Sequence, residues 1–262
     1  QYVLHTNLSG TLNCLEYART RGAGFLFLST SRVYPMQPIR DLRYHTLETR
    51  FTLAPDQEIP GASEAGISEL FPLQGARSLY GATKLASELI LQEYVEMYGM
   101  PAVINRCGVL SGPWQMGKVD QGVIVLWLAR HLYGGSLKYL GYGGTGLQIR
   151  DVLHVDDLYR LVEHQLAHLS TFRGEVFNVG GGLENSVSLQ ELTKCCQEVT
   201  GKHLEISGEP ADRAADIPCY ITDNTKVNQA TGWRPEIGLT QLLTEVRDWL
   251  LREESTLKAI LR

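Results

Sequence analysis

The alternation of short apolar segments with amphipathic segments constrains the fold of this chain most. The segment GFLFLSTS predicts a buried strand, because it is a short run of aromatic and aliphatic residues that ends in hydroxyls. The segment AVINR has the same apolar character, and a long helical segment precedes it. A strand, a helix and a second apolar strand in this order are typical of a parallel sheet covered by helices. We therefore predict a doubly wound α/β fold with a largely parallel sheet.

Polar residues stand where the two predicted strands end. Ser29, Thr30 and Ser31 close the first strand, and Arg106 and Cys107 close the second. Ligands of open parallel sheets bind at the carboxyl ends of the strands. The sequence therefore predicts a ligand site at this edge of the sheet.

Tyr80 and Lys84 stand one helical turn apart in the segment SLYGATK, which predicts the first turn of a helix. Residues at positions i and i+4 lie on one helix face, with Cβ atoms roughly 5–6 Å apart. A nearby cation favours the phenolate form of a tyrosine and lowers its pKa from about 10, which suits a proton acceptor. The same spacing also occurs in ordinary surface helices, so the context has to decide between the two interpretations.

Composition limits the class of protein. The 262 residues are 44% hydrophobic and 20% charged, as in globular proteins, and the formal net charge of -5 disfavours general binding of nucleic acid. Neither a signal peptide nor an apolar run of about 18 residues is evident, so no membrane partner is predicted. The five cysteines form no Cys-x-x-Cys pair, which suits a reducing compartment and a cytoplasmic location.

Two histidines raise the question of a metal. His164 and His168 lie four residues apart in HQLAH and could share an ion, but a third ligand is not evident. A solvated helix face is the preferred interpretation, and no metal site is predicted.

The chain divides into two predicted parts. Residues 32–77 are dense in proline, glycine and charge and too long for a simple connection, which indicates a functional loop. The regular alternation weakens after Gly112, and three helical segments follow: VIVLWLARHLYGG, SLQELTKCCQEVTG and LTQLLTEVRDWLLREE. We predict a catalytic domain from residues 1–111 and 147–182, and a smaller lobe from residues 112–146 and 183–262.

Five segments, in order, resemble the extended short-chain dehydrogenase/reductase family, the NAD-dependent epimerases and dehydratases of nucleotide sugars. These segments are NLSGTLNCLEYAR, LSTSRVY, YGATKLASE, LQIRDVLHVDDL and ADRAADIPCYITDNTKVNQATGWRP. The resemblance implies a Rossmann-like catalytic domain, a C-terminal substrate-binding lobe, NAD as cofactor and a nucleotide sugar as substrate. A homo-oligomer is a further possibility.

The resemblance also implies roles for individual residues. Thr30 would be the catalytic hydroxyl, Tyr80 the acid and base, and Lys84 the group that activates Tyr80. The cofactor-binding set is Ser29, Tyr80, Lys84, Arg106 and Cys107, and the substrate-binding set is Thr30, Ser31, Gln121, Arg150 and Arg213. Both arginines of the second set suit a diphosphate, because a guanidinium presents forked donors, although each could instead form a surface ion pair.

The segment Thr30-Ser31-Arg32 bears on the type of reaction. In dehydratases of this family the segment at this place resembles Thr-Asp-Glu, and in decarboxylases it resembles Thr-Ser-Glu, because both reactions need an additional acid. This chain has no carboxylate there, which favours epimerisation through transient oxidation to a ketose. A narrower resemblance to the family's CDP-hexose 2-epimerases, in LETRFT and VDQGVIVLW, indicates C2 of a CDP-hexose.

Several departures from the family pattern keep alternatives open. The Gly-x-x-Gly-x-x-Gly turn of the NAD site does not occur, so we expect an N-terminally truncated chain that is inactive alone. Gly108 and Val109 replace polar residues that commonly touch the sugar. The alternatives are a non-catalytic nucleotide-binding relative, an NAD(P)-dependent carbonyl reductase and a C4 epimerase.

Overall fold

The computed structural model describes residues 1–117, 121–211 and 216–261. The α-helices are α1 (Gly10–Arg21), α2 (Met36–Arg40), α3 (Leu79–Tyr98), α4 (Val123–Tyr133), α5 (Val155–Ala167), α6 (Leu169–Phe172), α7 (Leu189–Thr200), α8 (Thr225–Thr231), α9 (Leu239–Arg252) and α10 (Glu254–Leu261). The strands are β1 (Phe25–Thr30), β2 (Tyr44–Thr46), β3 (Phe51–Leu53), β4 (Ala62–Ser63), β5 (Gly66–Ile67), β6 (Ala102–Cys107), β7 (Val109–Ser111), β8 (Lys138–Leu140), β9 (Ile149–His154), β10 (Glu175–Val179), β11 (Ser186–Ser188), β12 (Ser207–Glu209) and β13 (Cys219–Tyr220). A π-helix, Leu4–Ser9, leads into α1.

Three parallel strands in the order β1-β6-β10 form the central sheet. All six residues of β6 are buried. Ala102 and Ile104 pack into a cluster with residues of α1 and α3, whereas Val103 and Cys107 pack against α5 and α6 on the opposite face. Helices on both faces explain why the strand is a continuous apolar run rather than an alternating one. The predicted α/β class with a parallel central sheet is confirmed.

The register of this sheet aligns the polar residues at the strand ends. Ser29 pairs with Arg106 and Thr30 with Cys107, and Asn178 of β10 lies opposite Arg106 on the other side. The sequence-based prediction that these residues share one edge of the sheet is confirmed.

A second sheet, in the order β11-β9-β13 with β7 also paired to β9, adjoins the first. Strand β9 runs parallel to β7 and β13 and antiparallel to β11. Its strands come from both predicted parts of the chain, because β7 and β9 fall in one part and β11 and β13 in the other. The division into two parts itself stays a prediction.

Helix α3 begins at a capped residue close to the end of β1. The Ser78 hydroxyl accepts the Gly81 N–H at 3.1 Å, an N-cap contact that typically contributes about 1 kcal/mol. A Cβ at Gly81 would lie 2.0 Å from the Arg32 carbonyl oxygen, so glycine permits the first turn of α3 to rest on the segment after β1. Tyr80 is fixed in this first turn.

The three helical segments predicted for the second part of the chain are α4, α7 and α9, and their apolar faces form one core with α10. A capping box starts α7, in which the Ser188 hydroxyl accepts the Glu191 N–H and the Glu191 carboxylate accepts the Ser188 N–H. Residues 32–77 hold the short helix α2 and two small antiparallel pairs, β2-β3 and β4-β5. No helix in the described part of the chain is long and apolar enough to cross a membrane.

Candidate active site

The turn after β1 presents the predicted catalytic hydroxyl. Thr30 is 9% exposed, and its Oγ1 accepts the backbone N–H of Arg32 at 3.2 Å. This contact uses an acceptor position of the hydroxyl and leaves its proton available for donation. Thr30 can therefore donate a hydrogen bond to an oxygen atom placed above the end of β1.

Tyr80 opens into a small cavity of about 170 Å³. The phenol is 44% exposed, and Ser31 and Arg32 line the same cavity. Thr30 and the first turn of α3 both contact the backbone of Arg32. The Thr30 hydroxyl accepts the Arg32 N–H, and Gly81 lies against the Arg32 carbonyl. The structure therefore brings Thr30, Ser31 and Tyr80 to one place, as the sequence predicts.

The ammonium of Lys84 points toward β1. Its Nζ donates to the Leu28 carbonyl at 2.6 Å and lies 4.1 Å from the centroid of the Phe27 ring. Burial lowers the pKa of Lys84, while the neighbouring Cys107 and Glu88 act in the opposite direction. Lys84 thus stands on the same helix face as Tyr80, with its charged end beside the open edge of β1.

Behind these residues lies a buried polar network. Glu88 and Arg106 form an ion pair at 2.7 Å, with side chains 1% and 6% exposed. Ser29 donates its hydroxyl proton to Glu88, Arg106 also donates to the Tyr34 hydroxyl at 3.2 Å, and Tyr34 donates to Asn178 at 2.8 Å. The network ties α3 to all three strands of the central sheet.

Glu88 is the functional neighbour that the sequence reasoning missed. The signal was present, because positions 80, 84 and 88 follow one another at intervals of four and share one face of the helix. Ser29 and Arg106 were predicted to bind the cofactor, but their polar groups are bonded inside the protein. Direct contact of these two side chains with a cofactor stays a prediction that requires them to exchange these partners.

Cys107, also predicted to bind the cofactor, is buried at the end of β6, and burial raises the pKa of its thiol to about 12. Because the thiolate is the reactive form, we expect iodoacetamide at pH 8 to modify the exposed Cys14 while leaving Cys107 untouched in the folded chain. Peptide mass spectrometry after short exposure measures this. Equal labelling of Cys107 and Cys14 in folded protein would contradict the buried position, and urea-unfolded protein, in which both react, is the control.

A larger cavity of about 310 Å³ adjoins the first. Gln121, predicted to bind substrate, lines it together with apolar residues of α4, β7 and β11. Arg32, Val109 and Arg150 line both cavities, so the two cavities lie side by side. Arg213, the other predicted phosphate ligand, lies outside the described residues.

Arg150 is held in place within this site. Its guanidinium donates to Asp216 at 2.8 Å and to the carbonyls of Ile149 and Ile217 at 2.7 Å each. Toward the described residues, these bonds use three of its five N–H donors. The geometry suits the predicted role of Arg150 toward an anionic group.

The other polar residues of the segment RDVLHVDD serve the fold. Asp151 is buried and accepts the Gly182 N–H at 3.0 Å, and burial raises its pKa. His154 accepts the Asp156 N–H and caps α5. The Asp157 carboxylate accepts the N–H groups of residues 236 and 237 at 3.1 Å each.

The structure brings potential metal ligands together at a different place from the two histidines that the sequence analysis considered. The His168 ring nitrogen lies 2.9 Å from the His164 carbonyl, so the pair makes a local helix contact. The described residues hold one group with suitably close ligand atoms, all within 4.8 Å: His154, Asp156 and Glu245. The Nδ1 atom of His154 accepts the Asp156 N–H in the α5 cap, so this lone pair is not available to a metal ion.

Comparison with known proteins gives a consistent result. The profile of the NAD dependent epimerase/dehydratase family matches residues 1–180. The chain belongs to this family. The predicted family and NAD dependence are thereby confirmed.

The relatives perform different reactions. The CDP-paratose 2-epimerase of Salmonella typhi is 29% identical over 247 residues, which cover 93% of this chain and 70% of that protein. A dTDP-glucose 4,6-dehydratase of Actinoplanes is 32% identical over 79% of this chain and 61% of its own length. The crystal structure of the Thermus thermophilus UDP-glucose 4-epimerase with NAD superposes with a TM-score of 0.74 at 26% identity, covering 94% of this chain and 70% of that one.

The ammonium of Lys84 suits part of an NAD site. It lies beside the edge of β1, where Leu28 is 42% exposed. An ammonium can donate hydrogen bonds to the hydroxyls of the nicotinamide ribose. That Lys84 and Tyr80, one turn apart on α3, would hold this end of the cofactor stays a prediction.

Proposed function

We propose that the protein is an NAD-dependent nucleotide-sugar epimerase that inverts C2 of a CDP-hexose. The observation that carries the proposal is the pair of adjoining cavities. Tyr80 lines the smaller cavity, and Arg150 lines both. A nucleotide sugar has a reactive sugar at one end and a diphosphate in the middle. The arrangement supplies a proton acceptor for the first and a cation for the second.

Proton transfer at the sugar would be carried out by Tyr80 and Thr30. The Tyr80 phenolate accepts the proton of the C2 hydroxyl, and the Thr30 hydroxyl donates a hydrogen bond to the same oxygen. The bound NAD supplies the acceptor and later the donor of the C2 hydride. After the ketose has turned over in the site, Tyr80 would give the proton back to the same oxygen as C2 is reduced on its other face, so that no net oxidation occurs.

The absence of a carboxylate at Ser31 and Arg32 supports epimerisation over dehydration. Elimination of water needs an acid to protonate the departing hydroxyl, and these positions provide a hydroxyl and a guanidinium instead. A carbonyl reductase, the main alternative, would share Tyr80 but would release oxidised cofactor in proportion to product.

Arg150 gives a direct test of nucleotide binding. Charge-assisted hydrogen bonds contribute about 1.5–3 kcal/mol, so Arg150→Ala should weaken binding of CDP by roughly 10- to 100-fold. Isothermal titration calorimetry of the chain with CDP measures the affinity. Arg247→Ala is the matched control, because Arg247 lies on α9 and bonds Asp248 and the Val199 carbonyl. Unchanged CDP affinity in Arg150→Ala would remove this residue from the proposal.

A further inference from the structure

The larger cavity has an apolar wall that suits a flat ring. Trp127 of α4, Leu140 of β8 and Val187 of β11 contribute to its lining. In the proposed function the sugar lies beside Tyr80, which lines the smaller cavity, and the diphosphate lies beside Arg150, which lines both. The base of the nucleotide then falls in the larger cavity. Apolar side chains can cover the faces of a base, but polar groups have to distinguish one base from another.

Gln148 is a buried polar residue in this wall. It is 7% exposed, directly precedes β9 and stands two residues before Arg150. Residues two apart in an extended segment lie on the same side of the chain, which agrees with the finding that both line the larger cavity. A nucleotide held by Arg150 therefore lies close to Gln148.

The side-chain amide of Gln148 is bonded at one end only. Its Nε2 donates to the Leu140 carbonyl at 2.9 Å, which fixes the orientation of the amide, because a carbonyl requires a donor. Its Oε1 is buried and has no hydrogen-bond partner in the described part of the protein. An unpaired buried acceptor is unfavourable, and the cavity is the adjacent space from which a donor can come.

The other glutamines of the cavity differ from Gln148. Gln115 is bonded at both ends, because its Nε2 donates to the Leu110 carbonyl at 2.9 Å and its Oε1 accepts the Ser111 hydroxyl at 3.0 Å. Gln121 is exposed, so water can satisfy its amide. Among the described glutamines that line the cavity, Gln148 alone combines burial with an unpaired carbonyl oxygen.

We propose that Gln148 Oε1 accepts a hydrogen bond from the 4-amino group of cytosine and thereby selects cytidine nucleotides over uridine nucleotides. The proposal rests on the proposed function, which places a CDP-sugar in this site. Cytosine carries an N–H donor at position 4, where uracil carries an oxygen that would oppose the Gln148 oxygen. A site built to bond an N–H of its ligand rejects an analogue without it, because the buried acceptor is then left unpaired.

The test is isothermal titration calorimetry of the chain with CDP and with UDP, read as the ratio of the two dissociation constants. The original chain should bind CDP about tenfold or more tightly than UDP. Gln148→Met keeps the length of the side chain but removes the acceptor, so the preference should fall about tenfold. Gln115→Met is the matched control and should keep the preference. Arg150→Ala should weaken both ligands alike, because both carry the same diphosphate.

An unchanged preference in folded Gln148→Met would overturn the proposal, as would an equal loss of preference in Gln115→Met. Equal affinity of the original chain for CDP and UDP would overturn it as well. Gln148→Leu, measured in the same way, replaces Gln148→Met if that variant does not fold. Binding of neither nucleotide would overturn the proposed function together with this proposal, whereas failure of C2 inversion alone would leave the selection of the base standing.

Discussion

Replacement of Tyr80 by phenylalanine should lower kcat for epimerisation by at least about 10²- to 10⁴-fold, the usual contribution of a positioned acid or base. The variant loses only the phenolic oxygen, which is the proton acceptor, and the half-exposed ring keeps its place in the first turn of α3. Affinity for CDP should stay nearly unchanged, because the variant leaves Arg150, the proposed ligand of the diphosphate on β9, in place.

The measurement is kcat for the NAD-loaded protein, together with calorimetric CDP affinity. Thr30→Val is the companion variant and should lose less activity, because Thr30 donates a hydrogen bond and does not accept the proton. Full activity of Tyr80→Phe with intact folding would show that another group moves the proton.

Loss of one partner of the Glu88–Arg106 pair should destabilise the fold strongly. Removing one member of a buried ion pair leaves an uncompensated charge and typically costs about 3–5 kcal/mol of unfolding free energy. Glu88→Gln leaves Arg106 buried without its carboxylate and replaces one of the two oxygens that accept from Ser29 and Arg106 by an NH2 donor. The expected result is a fall of this size in the free energy of unfolding of the chain in urea.

Two controls sharpen this measurement. Glu254→Gln breaks the exposed pair with Lys258, at 2.8 Å on α10, and should cost much less than Glu88→Gln because solvent screens the pair. The double change of Glu88 to Leu and Arg106 to Met removes both buried charges and should recover part of the loss. If Glu88→Gln cost no more than Glu254→Gln, the buried network would not be an energetic anchor of α3.

The fold was predictable where a local pattern had only one physical interpretation. Strands β1 and β6 follow from short apolar runs, and their parallel pairing places Thr30 opposite Cys107. The start of α3 follows from the segment SLYGATK, which predicts a first helical turn, and the structure adds Ser78 as its N-cap. These three elements position the candidate site.

The rest depends on contacts between distant segments. Glu88 could have been an exposed helix residue, and only the packing of α3 over β6 brings it to Arg106. The resemblance to the family implied that Ser29 and Arg106 bind the cofactor, whereas their side chains meet Glu88 in the interior. The short strands within residues 32–77 carry too few residues for a periodic pattern to show.

The most direct test of the central claim is the fate of the C2 hydrogen. CDP-paratose carrying deuterium at C2 is incubated in ordinary water with the NAD-loaded protein, and the product is analysed by NMR and mass spectrometry. Transient oxidation predicts inversion at C2 with the deuterium retained there and no accumulation of NADH. Loss of the deuterium to solvent during inversion would contradict the account, because the hydrogen would then have left C2 as a proton.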